Sequence, residues 1–159
     1  MLALVDPLRP RWPLVALVVS GALLAGAHAF ETFGHLAPCP MCLAQREWHW
    51  GVVAIALLAL LTRKDGRIAA LVLALAYLGS FAMAAWHVAV EQHWVTATCE
   101  VGPGGGSLVF DLNAPLNVPH CDTPAWTMLG ISMAGYNALI SLGMAVLSAV
   151  FALAPERKS

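Results

Sequence analysis

Residues 38–46 read PCPMCLAQR, from Pro38 to Arg46, at the point where a polar connector meets a long apolar segment. Two residues separate Cys39 from Cys42, so the two thiols can close into a disulfide with little movement of the chain. Arg46 follows Cys42 by about one helical turn, so both side chains project from one face once a helix has begun. A helix N-terminus and a guanidinium both favour the thiolate, which is the reactive form of cysteine. The stretch therefore predicts a redox centre, with a structural disulfide or a weak metal site as the alternatives.

The composition places this centre in a membrane. The 159 residues are 60% hydrophobic and 11% charged, whereas soluble proteins average about 45–50% and about 25%. The formal net charge is -1, and no basic tract interleaved with aromatic residues indicates nucleic-acid binding. The length suits a single domain, residues 1–159, and the sequence predicts an all-α integral membrane protein.

Four apolar segments predict a bundle of four transmembrane helices. They cover about residues 14–30, 43–61, 68–90 and 129–154, and the first, at 17 residues, reaches the lower limit for a spanning helix. Two connectors, about residues 31–42 and 91–128, would then emerge on one side of the membrane. The second connector carries its own pair of cysteines.

The first apolar segment has a second interpretation. Arg9 and Arg11, the apolar run and Ala27-His28-Ala29 resemble a secretory signal with an A-x-A cleavage site. Cleavage after Ala29 would leave three spans with the same exterior connectors, so the charge pattern does not decide. We expect a retained helix, mainly because of the family resemblance described below.

The basic residues predict the orientation. Arg46 lies at the outer end of the second span, on the side where the connectors have no Lys or Arg. A cation there is costly unless it binds something, and the alternative is that its side chain extends to lipid phosphates. The other seven basic residues fall on the opposite side, which the positive-inside rule assigns to the cytoplasm together with both termini: Arg9, Arg11, Arg63, Lys64, Arg67, Arg157 and Lys158.

All four cysteines lie on the predicted exterior side. An even number in an oxidising compartment predicts two disulfides with three possible pairings, of which we expect Cys39–Cys42 and Cys99–Cys121. The second pair would close a loop that contains Gly-Pro-Gly-Gly-Gly at residues 102–106, a sequence with little preference for order. The loop suits either a stabilising disulfide or one that must reach a partner, and the spacing alone does not choose between them.

Two motifs carry a family resemblance. Pro38-Cys39-x-x-Cys42-x-x-Gln45-Arg46 at the start of a span resembles the DsbB family of quinone-linked, disulfide-generating membrane proteins. The segment Cys121-Asp122-x-x-x-Trp126-x-x-Leu129-Gly130-Ile131-Ser132-Met133, which leads into the fourth span, resembles the same family. The short, glycine-rich second connector departs from the family pattern, because residues 107–118 are its one candidate for the membrane-lying helix of some relatives.

The resemblance implies an enzyme of the bacterial inner membrane, with its redox cysteines in the periplasm. It would reoxidise a DsbA-type dithiol oxidoreductase and pass two electrons to ubiquinone or menaquinone, without a metal. Cys99 would form the mixed disulfide with the partner, Cys121 would then engage Cys39, and Cys42 would be left as a thiolate beside the quinone. Arg46 would stabilise that charge or bind a quinone oxygen.

His87 and Glu91 are further candidates for the quinone site. They are four residues apart near the outer end of the third span, so they share a helical face. They would pass protons to the reduced quinone. The alternative is an interfacial pair that is hydrogen-bonded to a neighbouring helix.

Other functions are also compatible with parts of the sequence. A protein resembling vitamin K epoxide reductase would also couple cysteine pairs to a quinone, but there we expect the C-x-x-C motif late in the bundle. A metal-handling membrane protein would use the cysteines with His35, His120 or Met41, but no acidic residue lies mid-span to mark an ion path. A structural membrane subunit would explain the cysteines and leave Arg46 without a role.

Overall fold

The computed structural model describes residues 8–62, 65–96 and 120–154. In these ranges the chain forms four long helices, α1 (Trp12–Thr32), α2 (Pro40–Thr62), α3 (Gly66–Glu91) and α4 (Met133–Leu153). A 3-10 turn, Arg9–Arg11, precedes α1, and an antiparallel hairpin of β1 (Thr127–Met128) and β2 (Ile131–Ser132) precedes α4. Several residues of the sequence predictions lie outside the described ranges: Cys99, residues 107–118, Arg63, Lys64, Arg157 and Lys158.

Three of these helical segments are long and apolar enough to cross a membrane: Arg9–Thr32, Gly66–Glu91 and Met133–Leu153. The sequence predicts a fourth span in α2, which does not reach the same hydropathy. The reason lies in its first half, where Gln45, Arg46, Glu47 and His49 interrupt the apolar sequence. The fold is therefore that of a multi-pass membrane protein whose second helix is polar at the end where the cysteines lie.

The bundle buries small and hydroxyl side chains and exposes large apolar ones. Ser20, Ser80, Ser141 and Ser148 have no exposed surface, whereas Leu61 is 81% exposed. Lipid tails solvate leucine as well as a protein core does, so helices in a membrane associate through small residues and hydrogen bonds instead. Every buried side-chain nitrogen or oxygen in the described part of the chain has a hydrogen-bond partner.

Two arginines cap the C-terminal end of α4. The Arg9 guanidinium donates to the carbonyl oxygens of Phe151 (3.0 Å) and Ala154 (2.8 Å). Arg67 donates to the carbonyl oxygens of Ala152 (3.3 Å) and Ala154 (3.1 Å). The last carbonyls of a helix have no partner within it and carry partial negative charge, so cations stabilise this end. The contacts join the chain before α1 and the start of α3 to the end of α4.

The fourth helix begins later than the sequence predicts. Residues 129–132 lie in the hairpin, where Leu129 (φ 53°) and Gly130 (φ 80°) form the turn between the paired strands. Two consecutive positive φ values are the geometry of a tight two-residue hairpin, which α-helix cannot accommodate. Ser132 then caps α4 by accepting a hydrogen bond from the Gly135 backbone N–H at 3.1 Å.

The two ends of the bundle differ chemically. Arg9 and Arg67 meet the end of α4 at one end. Cys39 and Cys121 lie at the other, where α2 and α4 begin and α3 ends. Among the described residues, Arg9 and Arg67 are therefore separated in space from the cysteines, whereas Arg46 lies at the cysteine end.

Candidate redox site

Cys39 and Cys42 form a disulfide at the N-terminus of α2. Their Cα atoms are 5.0 Å apart, and Pro40, the first residue of α2, lies between them. Proline suits this position because its fixed φ matches the helix and the N–H that it lacks would have no partner there. The Cys42 backbone N–H donates to Cys39 Sγ at 3.1 Å, so a free N–H of the first helical turn points at this sulfur.

Cys121 lies against the same sulfur centre. Cys39, Val90 and Cys121 form one buried cluster, with Cys42 and Val95 packed around it. Cys39 is 3% exposed and Cys121 is 2% exposed, and neither is a free thiol. Cys99 lies outside the described residues, so the predicted pair Cys99–Cys121 stays a prediction.

His87 is the side chain that connects the sulfurs to the rest of the site. Its Nε2 lies 3.7 Å from Cys39 Sγ and 3.8 Å from Glu91 Oε1. Its Nδ1 lies 2.7 Å from Gln45 Nε2, and the ring also makes a hydrogen bond with the Cys121 backbone. Glu91 in turn accepts a hydrogen bond from the Ser132 hydroxyl. The two residues that the sequence puts on one face of α3 therefore contact α2, the cysteine cluster and the start of α4.

Arg46 is paired with an acidic residue of α1. Its Nη1 donates to Glu31 Oε2 at 2.5 Å and its Nη2 to the Ala27 carbonyl oxygen at 3.2 Å. The Arg46 side chain is 14% exposed and that of Glu31 is 40% exposed. The sequence predicts that this cation binds something, and Glu31, four residues past Ala27 and thus on its helical face, was the missed signal. The guanidinium also remains part of a cavity wall.

A cavity of about 340 Å³ opens beside the disulfide. Cys42 and Arg46 line it, and so do His87 and Glu91. Most of its other walls are apolar or aromatic side chains of α1, the hairpin segment and α4, including Leu23, Phe30, Trp126, Met133, Tyr136 and Ile140. Trp126 contacts Phe30 and Tyr136, with ring centroids 5.1 and 6.3 Å away. The site is thus apolar with a small polar end, which is typical of a pocket for a small organic molecule.

A ladder of amides and histidines continues from the site into the bundle. Asn137 Nδ2 donates to Gln45 Oε1 at 2.7 Å, and Asn137 Oδ1 lies 2.7 Å from His49 Nε2. Ser20 Oγ lies 3.2 Å from His49 Nδ1 and 2.9 Å from the Tyr77 hydroxyl. The sequence predicts that polar residues of the fourth span face other helices, but it does not single out Gln45 or Asn137 as partners. Their pairing depends on the register between α2 and α4, for which neither helix carries a local signal.

The same centre contains three potential metal ligands. Donor atoms of Cys39, Cys42 and His87 all lie within 4.8 Å of one another. Both sulfurs are joined in the disulfide, and metals bind cysteine as the thiolate. In this redox state the cluster therefore offers one imidazole, that of His87, and the histidines predicted as ligands, His35 and His120, are not part of it.

Comparisons with known proteins agree with the cysteine geometry. The family described as disulfide bond formation protein DsbB matches residues 9–151. A disulfide bond formation protein B of Azoarcus sp. (strain BH72) is 32% identical over 168 aligned positions, covering 99% of each chain, and one of Dechloromonas aromatica (strain RCB) is 28% identical over 85% of this chain and 87% of its own. An uncharacterised protein of Rickettsia prowazekii (strain Madrid E) is 27% identical over 90% of this chain and 87% of its own. No solved structure matches the chain.

Proposed function

The chain belongs to the DsbB family of disulfide bond formation proteins, and from this premise we propose that it reoxidises a DsbA-type dithiol oxidoreductase and passes the two electrons to a membrane quinone. Membership makes it a membrane oxidoreductase of disulfide formation. The observation that carries the finer proposal is that Cys121 and Cys39 share one buried cluster, beside a cavity lined by Cys42 and Arg46. A sulfur of the second connector, a membrane-proximal disulfide and a cationic pocket are thereby adjacent.

The residues of the cavity fit a quinone. Its apolar walls suit the ring and the isoprenoid tail, and the Arg46 guanidinium suits a carbonyl oxygen that gains negative charge. When bound, the quinone supplies the acceptor for two electrons and two protons. Cys42, Arg46, His87 and Glu91 would hold its polar end.

The cysteines carry the electrons by thiol–disulfide exchange. The partner's thiolate attacks Cys99 in the Cys99–Cys121 disulfide, which forms the mixed disulfide and releases Cys121 as a thiolate. Cys121 then attacks Cys39, so the Cys39–Cys42 bond breaks and Cys42 leaves as a thiolate. The second partner thiol resolves the mixed disulfide and releases Cys99 as a thiolate. Cys99 then attacks Cys121 in the Cys39–Cys121 bond, so the loop disulfide forms again and Cys39 leaves as a thiolate. In net terms the partner loses two electrons and two protons, becomes a disulfide, and leaves the membrane-proximal pair reduced.

Charged and titratable side chains stabilise the Cys42 thiolate and accept the protons that the thiols release. Arg46 lies one helical turn after Cys42 and lines the same cavity, so it favours the Cys42 thiolate. His87 and Glu91 are 3.8 Å apart beside Cys39, so they can hold the protons that the thiols release. The proposed location is the bacterial inner membrane, with both termini in the cytoplasm and the four cysteines in the periplasm.

The direct test is quinone reduction by the purified protein. A soluble ubiquinone analogue and a menaquinone analogue are offered in turn, with a reduced DsbA-type protein as the electron donor, and loss of quinone absorbance is followed. We expect one quinone reduced for each donor disulfide formed. The Cys42→Ser variant should form no reduced quinone, and Cys121→Ser, which lacks the disulfide that the donor attacks, should not oxidise the donor. A donor without its resolving cysteine should be trapped on Cys99 of the protein with all four cysteines.

A matched control separates chemistry from folding. Ser148, at the opposite end of the bundle, accepts a hydrogen bond from Trp12 Nε1 at 2.9 Å and is remote from the cavity lining. The variant Ser148→Ala should keep the wild-type rate. Wild-type turnover by Cys42→Ser, or trapping of the donor on Cys42 in place of Cys99, would contradict the proposed path.

A further inference from the structure

The hydrogen bonds from α4 to His87 have one direction. An amide nitrogen only donates and an amide oxygen only accepts. His49 Nε2 must therefore donate to Asn137 Oδ1, Asn137 Nδ2 donates to Gln45 Oε1, and Gln45 Nε2 donates to His87 Nδ1. Each of these three bonds is 2.7 Å long. The ladder ends on the imidazole that lies beside Cys39.

This direction decides which nitrogen of His87 carries the proton. Because Nδ1 accepts the Gln45 amide, the neutral ring must carry its hydrogen on Nε2. Nε2 is the nitrogen that lies 3.7 Å from Cys39 Sγ. The Cys42 backbone N–H points at the same sulfur from 3.1 Å. The ring also hydrogen-bonds to the Cys121 backbone, so the Nε2–H is shared between that backbone and Cys39 Sγ. Together with the Cys42 N–H it can stabilise a sulfur that becomes a thiolate.

We propose that Gln45 and Asn137 are positioning residues that hold His87 with its N–H toward Cys39, and so favour Cys39 as a leaving thiolate. In the relay, Cys39 leaves when the Cys39–Cys121 bond is broken by Cys99 and the loop disulfide forms again. That exchange transfers no electrons to an outside group: one S–S bond forms and one breaks, and the negative charge moves from Cys99 to Cys39.

Because the ladder ends on the His87 ring, its amides orient that ring as well as join α2 to α4. Gln45 is buried, and its two amide ends both point at partners rather than at lipid. Ser141 Oγ donates to Asn137 Oδ1 at 3.1 Å, so this oxygen accepts from both Ser141 and His49. The inference rests on the proposed function for the place of Cys39 in the relay. Its test needs neither quinone nor partner, so the two can fail separately.

The test measures the thiolate of Cys39 alone. In a protein with Cys42→Ser, Cys99→Ser and Cys121→Ser, Cys39 is the one remaining thiol, because the chain has four cysteines. Its alkylation by iodoacetamide is followed at neutral pH and at high pH, and the ratio of the two rates cancels differences in access. The substitutions Gln45→Met and Gln45→Glu are then compared. Both keep the size of the side chain, and thermal unfolding in detergent monitors the fold.

Of the two substitutions, only Gln45→Met should lower the ratio of the two alkylation rates. Methionine offers no donor to Nδ1, so His87 is no longer held with its N–H toward Cys39, and the ratio should fall about three- to tenfold, as loss of one modest hydrogen bond implies. Glutamate accepts from Nδ1–H while Nε2–H is retained in the imidazolium, so the ratio should stay or rise. Asn137→Ala should lower it less than Gln45→Met, and Ser148→Ala, which is remote from the ladder, should leave it unchanged.

A spectroscopic measurement checks the ring directly. In protein labelled with ¹⁵N-histidine, His87 should show a protonated Nε2 and a lone pair on Nδ1, with His87→Gln identifying the signals among the six histidines. Gln45→Met should mix the two tautomers. The proposal is overturned if Gln45→Met keeps the wild-type alkylation ratio, if Gln45→Glu lowers it as far as Gln45→Met, or if His87 carries its proton on Nδ1.

Discussion

At the scale of single residues, the ion pair of Arg46 with Glu31 sets how much positive charge reaches the cavity. The guanidinium donates to the carboxylate at 2.5 Å. The negative charge of Glu31 therefore offsets part of the positive potential that Arg46 creates at Cys42. Glu31 is 40% exposed and Arg46 is 14% exposed, which makes the carboxylate the partner that can move away. The pair thus places a cation in the wall of the cavity that Cys42 also lines, while limiting the cost of burying it.

Removal of the cation should damage the quinone step more than thiol exchange. Arg46→Met loses a charge-assisted interaction of about 1.5–3 kcal/mol, which corresponds to about a ten- to hundredfold slower quinone reduction. Arg46→Lys should be intermediate, because lysine keeps the charge and loses the planar fork. Steady-state quinone reduction is measured beside stopped-flow exchange with the donor. Wild-type quinone kinetics in Arg46→Met would make Arg46 an anchor at the lipid interface.

Removal of the carboxylate should have the reverse effect on quinone affinity. Glu31→Gln leaves the Arg46 charge unneutralised, so the apparent KM for quinone should fall several-fold, while exchange with the donor is unchanged. Glu47→Gln is the matched control, since Glu47 is an exposed carboxylate next in sequence to Arg46. An equal effect of both substitutions would show a general response to surface charge and contradict a specific pair.

At the scale of elements, the sequence predicts the helices better than their ends. Runs of apolar residues indicate four helices, because burial in lipid demands length and hydropathy whatever the partners are. The start of α4 is displaced by the hairpin, whose turn places Leu129 in a conformation that leucine rarely adopts. In the sequence, Gly130 is the only residue of this turn that signals a turn before α4. The ends depend on caps and tertiary contacts, which hydropathy does not encode.

The candidate site likewise contains residues that the sequence predicts and residues that it does not. The four cysteines and Arg46 can be identified from the sequence, because C-x-x-C spacing and a basic residue on the predicted exterior side are local signals. Gln45 and Asn137 are 92 residues apart, and their hydrogen bond exists only because α2 and α4 pack in one register. Polar residues in a span predict that partners exist, but not which partners they are.

The contact between the 3-10 turn and the end of α4 should contribute measurably to stability. Arg9→Met removes two hydrogen bonds from a buried guanidinium to α4 carbonyls, at an expected cost of about 1–3 kcal/mol in the free energy of unfolding. The midpoint of thermal unfolding in detergent should fall by about 2–4 °C for each kcal/mol. Arg11→Met is the control, because Arg11 is exposed. Equal midpoints for the two variants would contradict a capping role for Arg9.

At the scale of the whole molecule, the position of Arg9 and Arg67 at the end of the bundle opposite the cysteines predicts the orientation in the membrane. The arginine end carries Arg9 and Arg67, and the positive-inside rule assigns such an end to the cytoplasm. Two exposed positions report on the ends: Thr62, at the end of α2, and Trp94, which is 76% exposed just after α3.

Single reporter cysteines at these positions should label from opposite sides. In a protein whose four native cysteines are replaced by serine, a membrane-impermeant maleimide added to intact spheroplasts should label Trp94→Cys and leave Thr62→Cys unlabelled until the membrane is opened. The two reporters control for each other's expression and reactivity, because both label after solubilisation. The physical reason is that inversion would carry the arginine end across the lipid and against the positive-inside preference. Labelling of Thr62→Cys in closed spheroplasts would reverse the orientation and place the disulfide, the cavity and Cys121 on the cytoplasmic side, where a disulfide-generating relay would meet a reducing compartment.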